Sequence, residues 1–276
     1  MLKKMEKISV VMAVFNEQGN LRNCLESVKD LAWEFVIADG GSTDKTLDII
    51  KGFGARVIKT KNLLNFHINK NKAIDAALGD WILQLDADEI VSDKLREEIK
   101  KAVKDHGYDG YWIPRKNFFL TRFLTKGGQY PDYTLRLYRR GKGRLPGKDV
   151  HEQATVVGKV GYLQNDLLHL RDKEFSIYIE RFNRYTTLLS VQLKERGESI
   201  NSISFVNYLF LKPLIWFLKT YIRHRGYVDG FAGFVFSFFS ALRFPVAYLK
   251  LLIKYKDLPK SSNLSFEKNS EYRRKK

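Results

Sequence analysis

Two aspartates one residue apart, Asp86 and Asp88, follow directly after an apolar run at residues 81–85. At the end of a strand, alternate side chains point to the same face, so both carboxylates can face one crevice. Paired carboxylates are hard oxygen ligands of the kind that Mg²⁺ or Mn²⁺ takes together with phosphate oxygens. Acidic turns are also common without a ligand, so this pair alone fits either a metal site or two solvated turn residues.

Polar residues also follow two earlier apolar runs. Asn16 and Glu17 come after residues 7–14, and Asp39 comes after residues 35–38. In an open α/β sheet, ligands bind beyond the carboxyl ends of the strands. We therefore expect these residues and the aspartate pair to converge on one crevice.

The apolar runs that would position these residues are predicted to be strands. Residues 7–14 are apolar and rich in β-branched side chains without polar alternation, as in a strand buried on both faces of a parallel sheet. Residues 35–38, 56–60 and 81–85 are predicted to be further strands. The alternation of these runs with helical patterns indicates an α/β fold with an open sheet.

Helices are predicted between the strands. Leu21, Cys24, Leu25, Val28 and Leu31 recur at helical spacing after the first strand. Another helix is predicted at residues 71–78. Two serines are predicted to cap further helices: Ser42 and Ser92.

Four segments of the first 90 residues resemble motifs of the family 2 glycosyltransferases. They are, in order, Val14-Phe15-Asn16-Glu17, Ile37-Ala38-Asp39-Gly40-Gly41-Ser42-Thr43-Asp44, Lys70-Asn71-Lys72-Ala73-Ile74, and Gly79-Asp80-Trp81-Ile82-Leu83-Gln84-Leu85-Asp86-Ala87-Asp88-Glu89. The resemblance implies the GT-A fold, a Rossmann-like open mixed sheet with helices on both faces. Amphipathic helices are expected to follow it at the C-terminus.

The same resemblance assigns roles to the motif residues. The donor would be a nucleotide diphosphate sugar, UDP- or ADP-linked, with a UDP-sugar favoured. Asp86 would meet the ribose or the metal shell, and Asp88 would ligate the Mn²⁺ or Mg²⁺ that bridges both phosphates. For Lys70 an exposed charge is the alternative. The residues implied to hold the nucleoside or line its pocket are Phe15, Asn16, Glu17, Asp39, Lys70 and Asn71.

An inverting transferase needs a base that deprotonates the acceptor hydroxyl. Val150-His151-Glu152 lies in the region where the family places this base, and it resembles a His-Glu pair of lipopolysaccharide-core transferases. Glu152 is therefore the favoured candidate and Asp132 the rival. A structural salt bridge is the alternative role for both.

Two further residues are candidates for the donor site. His169 would complete the metal or diphosphate site, as a late histidine does in some GT-A enzymes, although a histidine between leucines is more often a core residue. Arg136, with Arg139 and Arg140, would bind a phosphate of donor or acceptor through its guanidinium group. A solvated basic edge is the alternative.

Residues 205–255 are rich in aromatic side chains with flanking Lys and Arg, a composition typical of interfacial membrane helices. Ordinary core packing and true membrane insertion are the alternatives. The longest charge-free run, residues 230–242, is shorter than the roughly 18 to 20 residues of a span, and Arg243 and Pro245 are expected to end it.

These patterns suggest four regions. Residues 1–115 would bind the nucleotide sugar, and residues 116–200 would form the acceptor half of the same catalytic domain. Residues 201–258 would associate with a membrane, and residues 259–276 would form a disordered basic tail.

Charge and cysteine usage restrict the partners. The formal charge is +17, and residues 1–100 contribute only −1 of it, so the rest of the chain is strongly basic. Phosphates of nucleotides or anionic lipids are the expected partners. The single cysteine, Cys24, indicates a reducing compartment. The apolar run after Lys7 is too short for an export signal.

Together the patterns predict transfer of a sugar to a lipid-linked, lipopolysaccharide-core-like acceptor at the cytoplasmic face of the inner membrane, with peripheral attachment. One alternative is a polyprenyl phosphate acceptor, which would depend on Arg136 or Arg139. A more distant alternative is a non-catalytic basic protein that binds nucleic acid. No nucleic-acid partner is expected, because no single-strand or helix-turn-helix signature is found.

Overall fold

A computed structural model describes residues 6–63, 65–146 and 153–256. Within these residues, ten strands form one mixed sheet and two form a small separate sheet. The strands are β1 (Ile8–Val14), β2 (Glu34–Asp39), β3 (Arg56–Lys59), β4 (Trp81–Gln84), β5 (Glu89–Val91), β6 (Gly110–Phe119), β7 (Arg122–Phe123), β8 (Asp132–Arg139), β9 (Gly143–Arg144), β10 (Thr155–Val156), β11 (Val160–Tyr162) and β12 (Leu167–Asp172).

Helices separate the early strands and dominate the C-terminal part of the chain. They are α1 (Leu21–Val28), α2 (Thr46–Gly52), α3 (Phe66–Ala76), α4 (Asp93–Ala102), α5 (Phe175–Glu195), α6 (Ser202–Val206), α7 (Lys212–Phe217) and α8 (Gly230–Lys256). Two π-helical segments, Asn207–Leu211 and Leu218–Arg223, and a 3₁₀ turn, Gly226–Asp229, connect the last three helices.

The strand order of the large sheet is β3-β2-β1-β4-β8-β6-β12-β5, and β7 and β11 pair with β6. β1 runs parallel to both of its neighbours, with Val14 opposite Asp39 on β2 and Val11 opposite Gln84 on β4. The carboxyl ends of these three strands therefore meet at one edge. β8 is antiparallel to β4 and to β6, so the sheet is mixed, as the predicted fold class requires.

Both faces of the central strands are buried. Val10 and Met12 of β1 belong to a cluster on one face, and Val11 belongs to a cluster on the other face. A fully buried aliphatic side chain contributes about 1.5–3 kcal/mol, so a continuous apolar run is stabilised only as a central strand. This confirms the predicted strand at the start of the chain.

Two helix starts differ from the sequence predictions. α3 begins at Phe66, where the side chain of Asn65 accepts from His67 N–H, and not at residue 71. α2 begins at Thr46, so Ser42 does not cap it, because its hydroxyl accepts from Asn16 N–H instead. The predicted cap Ser92 is confirmed, since its hydroxyl accepts from Leu95 N–H.

The chain divides into two compact units. One comprises Met1–Tyr178 and Leu218–Ser237, and the other comprises Ile179–Phe217 and Phe238–Lys276. The predicted functional boundaries at residues 115, 200 and 258 stay predictions, and the predicted basic tail lies outside the described residues.

The helix at the end of the described residues extends beyond the charge-free run 230–242. α8 continues through Arg243 and Pro245 to Lys256. The stretch Gly226–Lys254 is helical over 29 residues and contains an 18-residue apolar window with a mean hydropathy of 1.4, which by length and composition alone is enough to cross a membrane. About 39% of its apolar window is buried within the protein.

Candidate active site

Hydrogen bonds join the loops that follow β1 and β2, residues 15–20 and 40–45, to each other. We call them the strand-end loops. Asn16 adopts a left-handed conformation (φ 55°), which lets its backbone and side chain bond to the second loop. The hydrogen bonds are Asn16 N–H to Ser42 Oγ (2.9 Å), Thr43 N–H to Asn16 Oδ1 (2.8 Å), Glu17 N–H to Thr46 Oγ1 (2.8 Å), Gln18 N–H to Asp44 Oδ2 (3.1 Å) and Lys45 N–H to Gln18 Oε1 (3.2 Å).

Asp39 is buried at the end of β2 and orients the second strand-end loop. Its carboxylate accepts from the N–H groups of Gly41 (3.0 Å) and Ser42 (3.1 Å). Gly41 has φ 88°, a conformation that favours glycine. The predicted contact of Asp39 with a nucleobase stays a prediction, as does that of Phe15, which is 40% exposed beside it.

Asp86 lies beyond β4 between two buried cations. Lys70 on α3 contacts Asp86 Oδ1, and Arg136 on β8 donates to Asp86 Oδ2 (2.5 Å). Burial alone would raise the pKa of Asp86, but the charges of Arg136 and Lys70 outweigh it and hold this pKa well below its usual value. Burial, with repulsion from Arg136, lowers the pKa of Lys70 despite the contact with Asp86.

Glu89 extends this network. It is fully buried at the start of β5, accepts from Arg136 (2.7 Å), and accepts from the N–H of Asp86 (2.9 Å). Arg115 on β6 approaches it at 3.5 Å and also donates to Asp132 Oδ2 through two nitrogens (2.7 and 3.0 Å). A single hydrogen-bonded network therefore joins Lys70, Asp86, Glu89, Arg136, Arg115 and Asp132.

Asp88 faces His169. The Nε2 atom of this histidine lies 3.3 Å from Asp88 Oδ2, and its Nδ1 atom lies 2.7 Å from Asn117 Oδ1. The amide nitrogen of Asn117 donates to Asp132 Oδ2 (3.2 Å), which leaves the amide oxygen to accept from Nδ1–H. Burial opposes ionisation of Asp88, but the hydrogen bond and charge of His169 prevail and lower its pKa.

Glu17 connects the first strand-end loop with these acids. Burial raises the pKa of its carboxyl group, and the negative charges of Asp88 and Asp86 raise it further, while a hydrogen bond from Asn20 opposes the shift. Glu17 and Asp88 therefore form a pair of acids close enough to repel each other. An incoming cation is attracted to such a group.

The remaining predicted residues lie in other settings. The side chain of Asn71 exchanges two hydrogen bonds with the backbone of Leu145, at 2.9 and 3.2 Å. Arg139 lies over the Trp81 ring, and Arg140 donates to the carbonyl of Gly79. The favoured base, Glu152, lies outside the described residues. The predicted roles of these residues stay predictions.

Three residues that contact the predicted site residues were assigned no role from the sequence: Glu89, Arg115 and Asn117. A signal for two of them exists, because Ile113, Arg115 and Asn117 alternate along β6 and share one face. Polar residues at alternate positions of a long strand predict a polar patch on one face of the sheet.

Residues 9–156, more than half of the chain, match the model of glycosyl transferase family 2. The chain belongs to this family. The transferase is 29% identical to the lipopolysaccharide core biosynthesis glycosyltransferase LpsC of Rhizobium meliloti, over 86% of this chain and 91% of that protein. It is 28% identical to an uncharacterized glycosyltransferase of Rickettsia prowazekii, over 94% of this chain and 90% of that protein.

A solved structure shows the same fold. The mannosyltransferase PcManGT of Pyrobaculum calidifontis, in complex with GDP-Man and Mn²⁺, superposes with a TM-score of 0.54 at 13% identity. The match covers 91% of the transferase and 88% of that chain. The predicted family and the predicted GT-A fold are thereby confirmed.

Proposed function

We propose that the transferase moves a sugar from a nucleotide diphosphate sugar, UDP-linked in the favoured case, to a hydroxyl of a lipid-linked cell-envelope glycan with inversion. The observation that carries the proposal is the Asp88–His169 pair at the carboxyl edge of the parallel strands, beside the strand-end loops. The similarity to LpsC supports an envelope glycan as the acceptor.

The residues at this edge fit a divalent cation that is shared with a diphosphate. The described residues contain no cluster of three or more His, Cys, Asp or Glu placed to hold a metal. Mg²⁺-type sites, however, use one or two protein ligands and take the rest from water and phosphate. With Nδ1–H donated to Asn117, Nε2 of His169 faces the Asp88 carboxylate, and that arrangement needs either a proton or a cation between them.

Asp88 and His169 would therefore hold the cation. Both carboxylate oxygens of Asp86 already contact Lys70 and Arg136, so we assign Asp86 the task of orienting these cations, while its predicted role as a metal ligand is the alternative. When bound, the metal acts as a Lewis acid on the departing nucleotide diphosphate. Asp132 or Glu152 would accept the proton of the attacking hydroxyl.

The polyprenyl phosphate alternative receives less support from the geometry. It would need Arg136 or Arg139 to bind an acceptor phosphate. Arg136 is buried with two carboxylates, and Arg139 contacts the Trp81 ring and the carbonyl of Tyr108.

We further propose that the transferase attaches peripherally to the cytoplasmic face of an anionic membrane. In one unit, Ile203, Phe210, Leu214 and Ile215 are 57–81% exposed. In the other unit, Ile222 and Phe231 are exposed beside Lys219, Arg223 and Arg225. Residues 199–228 contain no acidic side chain. Exposed apolar groups with basic neighbours are typical of interfacial membrane segments.

The central test combines donor binding with turnover. UDP- and ADP-sugars are screened by thermal shift with and without Mn²⁺, because a ligand that binds only the folded state raises the melting temperature. We expect a Mn²⁺-dependent shift with one donor, and Asp88→Ala should abolish both this shift and sugar transfer while its own melting temperature stays near that of the wild type. Normal transfer by Asp88→Ala would refute the assignment of the site.

A further inference from the structure

A buried carboxylate outside the candidate active site holds a distant loop. Asp229, in the 3₁₀ turn before α8, is 1% exposed. Its carboxylate accepts from the N–H of Thr125 (3.0 and 3.1 Å), from the hydroxyl of Thr125 (2.7 Å) and from the N–H of Lys126 (2.8 Å). These donors lie 103 and 104 positions earlier in the chain, so the contact is tertiary.

Both ends of this loop, residues 124–131, meet at the candidate active site. The N–H of Leu124 donates to the carbonyl oxygen of Asn117 (2.9 Å). Asp132, which follows the loop directly, accepts from the side chain of the same Asn117 (3.2 Å). Asn117 is also the partner of His169. The loop therefore borders the site on the side of Asp132. In sequence it is distant from the strand-end loops.

The loop lies directly on the segment that carries Asp229. The N–H of Gly127 donates to the carbonyl of His224 (2.9 Å), and a side chain on Gly127 would begin 3.7 Å from the Cα atom of Gly226. Gly127 has φ 66°, which favours glycine at this position. The segment itself is tightly packed, since a Cβ atom on Gly226 would lie 2.9 Å from the carbonyl oxygen of Thr220.

We propose that Asp229 is a positioning residue that acts through the 124–131 loop to set the binding of the acceptor beside Asp132. Within the described residues, the hydrogen bonds of Thr125 and Lys126 to residues outside the loop all go to this one carboxylate. Asn16, Asp39 and Lys70, which are predicted to bind the nucleotide sugar, make no described contact with Asp229. The inference rests on the proposed function, because it names the part of that site which receives the acceptor.

Limited trypsin digestion tests the loop without any substrate. The N–H groups of Lys126 and Gly127 are both bonded to the 218–237 segment, so the bond after Lys126 cannot extend into a protease cleft until the loop opens. We expect trypsin to cut Asp229→Asn after Lys126 at least about tenfold faster than wild type, because loss of one buried hydrogen bond raises the population of the open loop by about this factor. Thr125→Val, which removes only the hydroxyl contact, should show a smaller increase.

Glu34→Gln is the matched control. Glu34 also accepts from a distant backbone N–H, that of Leu78 (2.6 Å), and from a hydroxyl, that of Ser9 (2.5 Å), but it lies at the opposite end of β2 from Asp39. We expect this variant to lose stability without faster cleavage after Lys126. Unchanged cleavage in both Asp229→Asn and Thr125→Val would overturn the proposal, and Thr125→Val decides it alone if Asp229→Asn does not fold.

Kinetics separate positioning from general destabilisation. Transfer of radiolabelled sugar is measured to membranes from a strain that lacks the transferase gene, which retain unmodified acceptor. For Asp229→Asn we expect the apparent KM for these membranes to rise about tenfold while the donor KM changes less than about twofold, because the donor-side contacts are unaffected. An equal rise in both constants, or no rise in either, would overturn the positioning role.

The two proposals fail in different ways. If wild-type transferase labels no membrane component, the proposed lipid-linked acceptor is wrong. The trypsin experiment then still decides whether Asp229 holds the loop, since it needs neither donor nor acceptor.

Discussion

At the scale of single residues, the most informative feature is how each acid of the Asp86-Ala87-Asp88 motif is used. Asp86 is enclosed by Lys70, Arg136 and the backbone contact to Glu89, whereas the carboxylate of Asp88 faces His169. Two acids of one motif therefore have different electrostatic surroundings. One belongs to a fixed ionic cluster, and the other is paired with a histidine.

The ionic cluster predicts the effect of removing Lys70. Lys70→Met should destabilise the protein by about 3–5 kcal/mol, because the carboxylate of Asp86 keeps its charge but loses a buried partner. Urea denaturation measures this loss. Lys72→Met, an exposed position on the same helix, is the control and should change stability by no more than about 0.5 kcal/mol. Equal effects at both positions would contradict the importance of the Lys70 contact.

Cys24 offers a pH-dependent test. Burial, followed by repulsion from Glu89 and Asp86, raises the pKa of its thiol well above the usual value, and the thiol donates to the carbonyl of Asp86 (3.4 Å). Because only the thiolate reacts, the raised pKa keeps the reactive fraction small between about pH 7 and 9. Iodoacetamide should label the unfolded protein readily and the folded protein very slowly. Rapid labelling of the folded protein near pH 8 would contradict this burial.

At the scale of secondary-structure elements, α4 provides a simple test. The hydroxyl of Ser92 accepts from Leu95 N–H and donates to the carbonyl of Asp166 (2.9 Å). Ser92→Ala should therefore cost about 1 kcal/mol, the usual loss for an N-cap, with a further contribution from the carbonyl left without its donor. Ser92→Asp should restore part of this stability if capping is the main contribution.

Strands β1, β2 and β4 could be predicted because each contains a short apolar run followed by polar residues. The register of β1 with β2 and β4 then places those polar residues at one edge, as expected. The start of α3 could not be predicted from apolar spacing, because its buried face includes the polar residues His67, Asn69 and Lys70. Partners that become visible only in the fold decide such a boundary.

The candidate site was predictable to a similar extent. Asp88 and His169 are 81 positions apart, and pairing of β12 with β5 and β6 brings the histidine to the aspartate. Sequence resemblance suggested both residues, but it gave no indication of Asn117 between them. The alternation of Arg115 with Asn117 along β6 predicts only a polar face, and it assigns Arg115 no role because its partners lie on β5 and β8.

At the scale of the whole molecule, the charge distribution and the exposed apolar side chains of the C-terminal part support the proposed attachment to an anionic membrane. Residues 101–276 carry a formal charge of +18, while residues 1–100 carry −1. In the proposed function, this asymmetry would separate the part that binds the nucleotide sugar from a part that is attracted to anionic groups.

Vesicle sedimentation tests the proposed attachment to an anionic membrane. The transferase should bind phosphatidylcholine vesicles that contain phosphatidylglycerol and bind pure phosphatidylcholine vesicles much less. Raising the salt concentration from about 0.1 M to about 0.5 M should weaken this binding, because screening shortens the reach of surface charges. Phe231→Ser should lower binding at both salt concentrations, since residue 231 is 78% exposed. Equal binding to neutral and anionic vesicles would argue against an anionic membrane as the partner.

The two strand-end loops have a consequence for the choice of nucleotide. Four hydrogen bonds join them before any ligand arrives, and a fifth joins Glu17 to Thr46 at the start of α2, so their shape is part of the folded chain. With the nucleobase bound beside Asp39, as predicted, little conformational entropy would remain there for it to remove, and a base of the wrong shape could not rearrange the loops without breaking those bonds. We therefore expect the enzyme to select its donor because other nucleobases do not fit the preformed loops, and not because the loops change shape on binding.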